Sequence, residues 1–439
     1  MFLFIALLIL HQPVEGDTSP ITCYNDNGEA VDWYYLYKLP NEKGSKDPAR
    51  GLRYLLLEKG SEGWTEGKFN ANSTAGAPGR TVGQLYGGHK NQEVAYILYN
   101  DQPHQLAPGL GNSGNSKGHT KGVVLLDKTQ GFWLVHSTPK FPPPRATGQY
   151  SYPATGRKKG QSFLCVTYPL KHFQTIGEQL LINQPTVYDC DVPPSLATAV
   201  PALLTLCKHS MPALQVFPLV KAMTNRSVIL TSIGGTDFLN FAKGSAFNND
   251  LYSSWVAPAL QSNLLVRFWV CAKGHLPSSC TGPWKVLDVT VVNPGHTANI
   301  NASADHSKWA VSTQAPGSGS GSGSRGVGGW VCVGDINRIQ AEEKRGGGTV
   351  CQQNPVVWKA YRSSALSCMD CSNDVSHCEL LVWKITRRSH SFSSRASIGY
   401  QNCSITPGPH SLLGQRCVRK SKVELRAPGF PTCGDLIQE

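Results

Sequence analysis

The hydrophobic positions of this chain fall in short runs, not in long amphipathic periods. "VDWYYLYKLP" from Val31, "EVAYILYND" from Glu93, "GVVLLD" from Gly122 and "GFWLVHS" from Gly131 are aromatic and β-branched, and are bounded by Gly, Pro, Asn or Asp. That pattern predicts strands. A proline-rich break, "FPPPRATG", follows from Phe141, and "HFQTIGEQLL" from His172 reads as a helix. Residues 183–225 read as a connector with a helical "ALLTL" from Ala202. A second series then starts, with strands "SVILTSI", "LLVRFWV", "WKVLDVTVV", "WAVST" and "WVCVGD" and a helix expected over 237–261. Strands mixed with helices predict an α/β (α+β mixed) architecture.

Three segments do not belong to this pattern. The apolar run Phe2–Leu10, followed by small and polar residues to Gly16, reads as a signal peptide over 1–16. Residues 317–324 are "GSGSGSGS", a flexible insert by composition. From 366 to 439 the chain is rich in Cys, Ser and Arg without periodicity, and is expected to be a disordered tail. The predicted organisation is therefore an N-terminal lobe over 17–182, the connector over 183–225, a C-terminal lobe over 226–365 and the tail.

Composition narrows the class. A chain of 439 residues, 40% of them hydrophobic, can bury a large core, and no run after the signal approaches the roughly 18 apolar residues of a membrane span. The net charge of +12 suits a polyanionic partner, nucleic acid or an anionic membrane, or else a solvated basic surface. A secretory signal implies an oxidising compartment, where 14 cysteines read as disulfides. Cys368 and Cys371 have metal-like spacing but no matching second pair. Local spacing pairs Cys190 with Cys207. Sequons at Asn72, Asn225, Asn301 and Asn402 offer glycosylation sites.

The candidate chemistry lies in a repeat. His119-Thr-Lys121 precedes an apolar run and then Gly131-Phe-Trp133. His306-Ser-Lys308 precedes "WAVS" and then Gly329-Trp330. One His-x-Lys triplet is a weak signal. Two, each opening a strand and each followed by a Trp-bearing strand, are a strong one. Metal-free cleavage of a phosphodiester needs a nucleophile, a proton donor for the leaving oxygen, and positive charge on the non-bridging oxygens. Two imidazoles divide the first two tasks and two lysines supply the third. One imidazole must be charged and the other neutral, which favours mildly acidic conditions.

These residues, with "CYNDNGEAVDWYYLYKLP", "LYNDQP", "GHTKGVVLLD", "GFWLVHSTPKFPPP", "DHSKW", "WVCVGDINR" and "RGGGTVC", resemble the deoxyribonuclease II family of the phospholipase D superfamily. The matching stretches run from about Cys23 to Ala365. "YSYPATGRKKGQS" and "NQPTVYDC" resemble the beta form more than the alpha form. The resemblance implies a phospholipase D-like fold of two pseudo-twofold-related lobes, each a mixed sheet flanked by helices, with the active site between them. It implies cleavage of double-stranded DNA at acid pH without metal or cofactor, through a phosphohistidine, leaving 3′-phosphate ends. The setting would be the lysosome, reached through the secretory pathway, with secretion as a second destination.

The resemblance carries the catalytic role onto His119, Lys121, His306 and Lys308, with His119 as nucleophile and His306 as acid. His136 matches a further family histidine; a purely structural histidine is the alternative. Asn100 of "YNDQP" and Asn337 of "GDINR" are similarly placed in the two halves and are expected to hold lysine or phosphate. Disulfides Cys23–Cys165 and Cys332–Cys351 are implied, as is Cys280 with Cys368 or Cys371. There are three departures. Ala310 stands where the family usually has Cys, the Gly-Ser insert interrupts the second half, and the tail has no counterpart. A lipid phosphodiesterase with the same two His-x-Lys pairs, or a catalytically impaired relative, are the competing readings. The basic charge predicts phosphate contacts to DNA, and the lack of a long apolar run predicts no stable membrane insertion.

Overall fold

The computed structural model describes residues 19–41, 49–87, 93–105, 117–208, 223–271, 273–317, 328–379 and 382. The signal-peptide segment, nearly all of the Gly-Ser insert, Asn402 and the tail beyond 382 lie outside the described residues. The fold is mixed α/β, built on two large sheets.

The first sheet has eight strands. Its main members are β1 (Trp33–Lys38), β2 (Tyr54–Glu58), β3 (Ala95–Asn100), β4 (Lys121–Leu126), β5 (Gln130–His136), β6 (Gln161–Pro169) and β7 (Val187–Asp191). They lie in the order β7-β3-β4-β5-β6-β1-β2, and the short Thr65–Glu66 strand closes the far edge. Every pair is antiparallel. In β1, Tyr34 and Leu36 enter a core with Val123, Leu125, Phe132, Leu134 and Phe163, covered by helix α1 (Ala77–Gly83). Tyr35 and Tyr37, on the alternate face, are equally buried. Both faces of the sheet are covered, so its strands read as continuous apolar runs without alternation.

The second sheet has ten strands. They include β8 (Asn225–Thr231), β9 (Asp237–Lys243), β10 (Leu264–Arg267), β11 (Val286–Val292), β12 (Trp309–Ser312), β13 (Trp330–Gly334), β14 (Gly347–Gln353), β15 (Ala365–Met369) and β16 (Val375–His377). The order is β8-β9-β14-β13-β12-β10-β11-β15-β16, and a short Ile300–Asn301 strand pairs beside β11. Of the pairs in that order, β10 with β11 is the parallel one. Helices α2 (Phe173–Asn183) and α3 (Pro201–Cys207) occupy the region of the expected helices, and α4 (Pro355–Ser364) follows β14. Asn354 caps α4, its side-chain oxygen accepting from Val356 N at 2.9 Å and Val357 N at 3.1 Å.

Three expectations are corrected. The helix predicted over 237–261 is the strand β9 for its first seven residues, and helical structure is limited to a short 3-10 turn, Ser245–Phe247, and the segments Tyr252–Val256 and Ala257–Ala259. Phe238, Asn240 and Phe241 are poor helix formers, and β9 pairs along its length with β8 and β14. The expected connector supplies an edge strand, because β7 pairs with β3 and Cys190–Cys207 ties it to α3. The expected tail begins too early, because β15 and β16 extend the second sheet and Cys368–Cys378 joins them. Cys280 takes Cys371, while Cys23–Cys165 and Cys332–Cys351 pair as the resemblance implied. Despite the adjoining insert, β12 and β13 pair through Trp309–Val333, Ala310–Cys332 and Val311–Val331. Ala310 is fully buried beside Cys332, whose sulfur is already bonded to Cys351. Among the sequons, Asn72 and Asn301 are exposed and Asn225 is half-buried.

The two sheets meet along a seam of aromatic rings and buried polar groups. Tyr35 donates to Gln352 Oε1 at 2.9 Å, and Tyr361 packs on Tyr35, Trp64 and Trp309. Tyr37 donates to Asp305 Oδ2 at 2.6 Å. Arg267 donates to the same carboxylate at 2.8 Å and to the carbonyls of Ala302 and Asp305, each at 2.7 Å. Burial opposes the charge on Asp305, but Arg267, Tyr37 and Ser307 outweigh it and hold the carboxyl below its ordinary range. Removing one partner of a buried pair leaves an uncompensated charge. Arg267→Met is therefore expected to lower stability by about 3–5 kcal/mol in denaturant unfolding; a loss below about 1 kcal/mol would show that the pair is not holding the seam.

Candidate active site

The two His-x-Lys segments lie where strands of the two sheets begin. His119 and Lys121 open β4; His306 and Lys308 lead into β12. His119, Lys121 and Lys308 are buried. In each triplet the intervening residue points elsewhere, so histidine and lysine share one side of extended backbone. That is why the spacing is i, i+2.

Each imidazole is fixed by the opposite sheet. His119 Nδ1 lies 2.6 Å from Asp335 O, just past the end of β13. His306 Nδ1 lies 3.3 Å from Ser137 O, just past the end of β5. A carbonyl only accepts, so His119 carries its hydrogen on Nδ1 and keeps the Nε2 lone pair free when neutral. The His306 ring also packs on Trp269, centroids 5.1 Å apart, and Lys159 sits 5.0 Å over that indole. Lys308 Nζ lies 3.4 Å from His306 Nδ1 and donates to its carbonyl at 3.1 Å.

Carboxylates surround the first pair. His119 Nε2 is 3.6 Å from Asp101 and 3.5 Å from Glu342. Lys121 bonds Asp101, and Arg345 stands 3.5 Å from the same carboxylate. Lys121 N donates to Asp335 Oδ2 at 3.2 Å. These groups set the protonation landscape. Burial pulls His119 down to about 4, against the opposing pull of Asp101 and Glu342. Burial, then the Lys308 and Lys121 charges, push His306 well below its ordinary value. Burial and the Lys121 charge bring Lys308 down to about 7. Burial raises Asp335 to about 7 against the opposing Lys121 charge. Burial also opposes ionisation of Asp101, but His119, Lys121 and Arg345 together hold it well below the usual carboxylate range.

The remaining candidates take supporting positions. His136 is fully buried at the end of β5, stacked on Phe163 and edge-on to Phe141. Its Nδ1 accepts from Thr138 N at 3.2 Å, so Nε2 carries the hydrogen. Burial, then the Lys121 charge, keep it neutral well below the ordinary histidine range. Asn100 is the cross-strand partner of Lys121, but its amide donates to Thr138 O at 3.1 Å and Phe141 O at 3.0 Å. Asn337 donates to Glu342 Oε1 at 2.8 Å and accepts from Trp269 N at 3.2 Å. Both amides brace the backbone around the lysines and histidines; the Lys121 ammonium goes to Asp101 instead.

Sequence reasoning missed Asp101, Asp335, Glu342, Arg345 and Trp269. A signal was present, since Asp101, Asp335 and Arg345 stand inside "YNDQP", "GDINR" and "RGGGTVC".

The pKa shifts predict a pH dependence of stability. Between pH 6.5 and about 4 the unfolded chain takes up a proton at His119 that the folded chain refuses. Stability must therefore fall with pH across that window, by about 3 kcal/mol for this group. Asp335 acts in the opposite sense: folded, it binds its proton from about 7 downward and so gains stability on acidification. His119→Gln should lose less stability than wild type between pH 6.5 and 4, and Asp335→Asn should lose more, as read from urea midpoints. Equal slopes in all three proteins would contradict the assigned shifts.

The family comparison agrees with the motifs. The family model described as Deoxyribonuclease II matches residues 22–371. The chain is 44% identical to deoxyribonuclease-2-alpha of Rattus norvegicus over 80% of this chain and 95% of the relative. It is 35% identical to deoxyribonuclease-2-beta of Mus musculus over 78% and 91%, and 34% identical to plancitoxin-1 of Acanthaster planci over 85% and 98%. The likeness of two stretches to the beta form thus does not extend along the chain, which is nearer to the alpha-form relatives. On the match of the family model across most of its length, the chain belongs to the deoxyribonuclease II family.

Proposed function

We propose that this chain is an acid endonuclease that hydrolyses double-stranded DNA through a phosphohistidine, within a phospholipase D-like fold of two related lobes. The observation that carries the reading is the crosswise bonding of the two imidazoles, His119 to Asp335 O and His306 to Ser137 O. It leaves both Nε2 atoms as the nitrogens available for chemistry.

In the first step the Nε2 lone pair of neutral His119 attacks phosphorus. The bond from phosphorus to the 5′-oxygen breaks, and protonated His306 gives its proton to that oxygen. The DNA is cut, with a 5′-hydroxyl on one side and a 3′-phosphoryl group on His119 on the other. In the second step water attacks phosphorus, neutral His306 takes its proton, and the His119 bond breaks to release a 3′-phosphate. Lys121 and Lys308 offset the charge that grows on the non-bridging oxygens. A DNA phosphate presents the same charge as the Asp101 carboxylate that occupies Lys121 and Arg345 in the free protein.

Acidity supports this chemistry twice. Lys308 is fully charged only below about 7, and a depressed His306 needs a pH below its ordinary range to become a donor. The lysosome supplies that acidity, and a signal peptide with exposed sequons is consistent with that route. Binding rests on phosphate contacts from a chain of net charge +12, so affinity should fall steeply with salt.

The test is plasmid nicking in EDTA at about pH 5, on the acid side of the ordinary histidine pKa, the direction that the depressed His306 requires. Wild type should cut, and His119→Ala and His306→Ala should each lose about 1,000-fold or more. A folded wild type that does not cut, or variants that cut at the wild-type rate, would end the two-histidine reading.

A further inference from the structure

Each site histidine is held at its backbone as well as its ring, and again by the opposite sheet. His119 N donates to Gly346 O at 2.9 Å, and His306 N donates to Gly160 O at 2.8 Å. The two glycines occupy equivalent places. Gly160 directly precedes β6 and Gly346 directly precedes β14. Neither tolerates a side chain: a Cβ at Gly160 would stand 2.2 Å from Asp305 Oδ1, and one at Gly346 would stand 2.0 Å from Asn183 O.

The equivalence extends one strand further. Both β6 and β14 pair with a strand that ends on a buried lysine. Lys38, the last residue of β1, faces Gln161, and Lys243, the last residue of β9, faces Gly347. Each ammonium turns onto the backbone leading into the glycine. Lys38 donates to Lys159 O and, at 3.1 Å, to Arg157 O. Lys243 donates to Glu342 O and Glu343 O, each at 2.9 Å, and to Arg345 O at 2.7 Å. An ammonium group has three donors and no acceptor, which suits a turn whose carbonyls converge. Burying a charge for a turn on the surface would be wasteful; here each turn is the seat of a site histidine.

We propose that Lys38 and Lys243 are positioning residues that act crosswise. Lys38 fixes the 157–160 turn that seats His306, and Lys243 fixes the 342–346 turn that seats His119. The repeat therefore includes a lysine, a carbonyl turn and a glycine in each half, beside the His-x-Lys triplet. This inference rests on His119 as nucleophile and His306 as proton donor.

The crossing makes the two lysines distinguishable. A nucleoside 3′-(4-nitrophenyl phosphate) releases a phenolate that departs without a proton, so the first-turnover burst of phenolate needs the His119 nucleophile and not His306, which acts again only as base in the second step. Lys38→Met should lower kcat on DNA about 100-fold, the scale of a 1 Å misplacement, with KM little changed, and should keep the burst rate of nitrophenolate release within about fivefold. Lys243→Met should lower both rates about 100-fold. Lys38→Arg and Lys243→Arg keep a buried donor and serve if the Met variants do not fold; they should show the same crossed pattern at smaller amplitude. Folded variants with wild-type rates on both substrates would overturn the proposal, and so would a Lys38→Met that loses both rates equally or a Lys243→Met that spares the nitrophenyl rate. His119→Ala is run alongside on both substrates: retained activity there would overturn the nucleophile assignment itself, separately from the lysines.

Discussion

Holding four ionisable side chains together, three of them buried and His306 half-buried, is the constraint around which this protein is arranged. His119, Lys121, His306 and Lys308 sit at strand starts between two sheets, where water cannot solvate them fully. Two lysines and two imidazoles would repel one another there. Asp101, Asp335 and Glu342 offset that repulsion, and every one comes from a segment adjoining a site strand or turn. The balance favours neutral imidazoles at rest. An incoming phosphodiester changes the sign of the problem, because it supplies negative charge to a pocket prepared with donors. Pre-arranged charge of this kind costs no reorganisation when the reaction occurs.

The sheets themselves are committed to this constraint. The Tyr37–Asp305–Arg267 group lies one residue from His306 and joins both sheets, so the second histidine is anchored to the seam itself. Backbone carbonyls hold both rings. Those acceptors do not titrate, and so these two carbonyl contacts stay available over the range in which the imidazoles change charge. His136, stacked between rings behind Lys121, adds rigidity without adding charge.

Much of this was legible in the sequence, and the reasons differ residue by residue. The strands around Trp33, Ile97, Val124, Trp133, Val311 and Val331 announced themselves as apolar runs, and the duplicated His-x-Lys located both halves of the site. Cys190–Cys207 was readable because its partners are close in the chain. Strand β9 was not, since the turn residues Gly244 and Asn248–Asp250 that separate it from the helical residues were read through, and pairing with β14, more than a hundred residues away, decides its conformation. Strands β15 and β16 were hidden by the biased composition that follows them. Gly160, Gly346, Lys38 and Lys243 carried no local signal, because their function depends on carbonyl groups, which every residue has.

The seating of His119 on Gly346 has a consequence for synthesis. The chain is made from its N-terminus, and the first histidine, its lysine and most of the first sheet emerge long before the segment that holds them. Until Gly346 and Asp335 have emerged and folded, His119 lacks both of its backbone partners. On the proposed mechanism, a nascent or truncated chain therefore carries His119 and Lys121 without a site. A nuclease assembled this way is silent throughout its own production, and becomes competent only when nearly all of the folded body is complete.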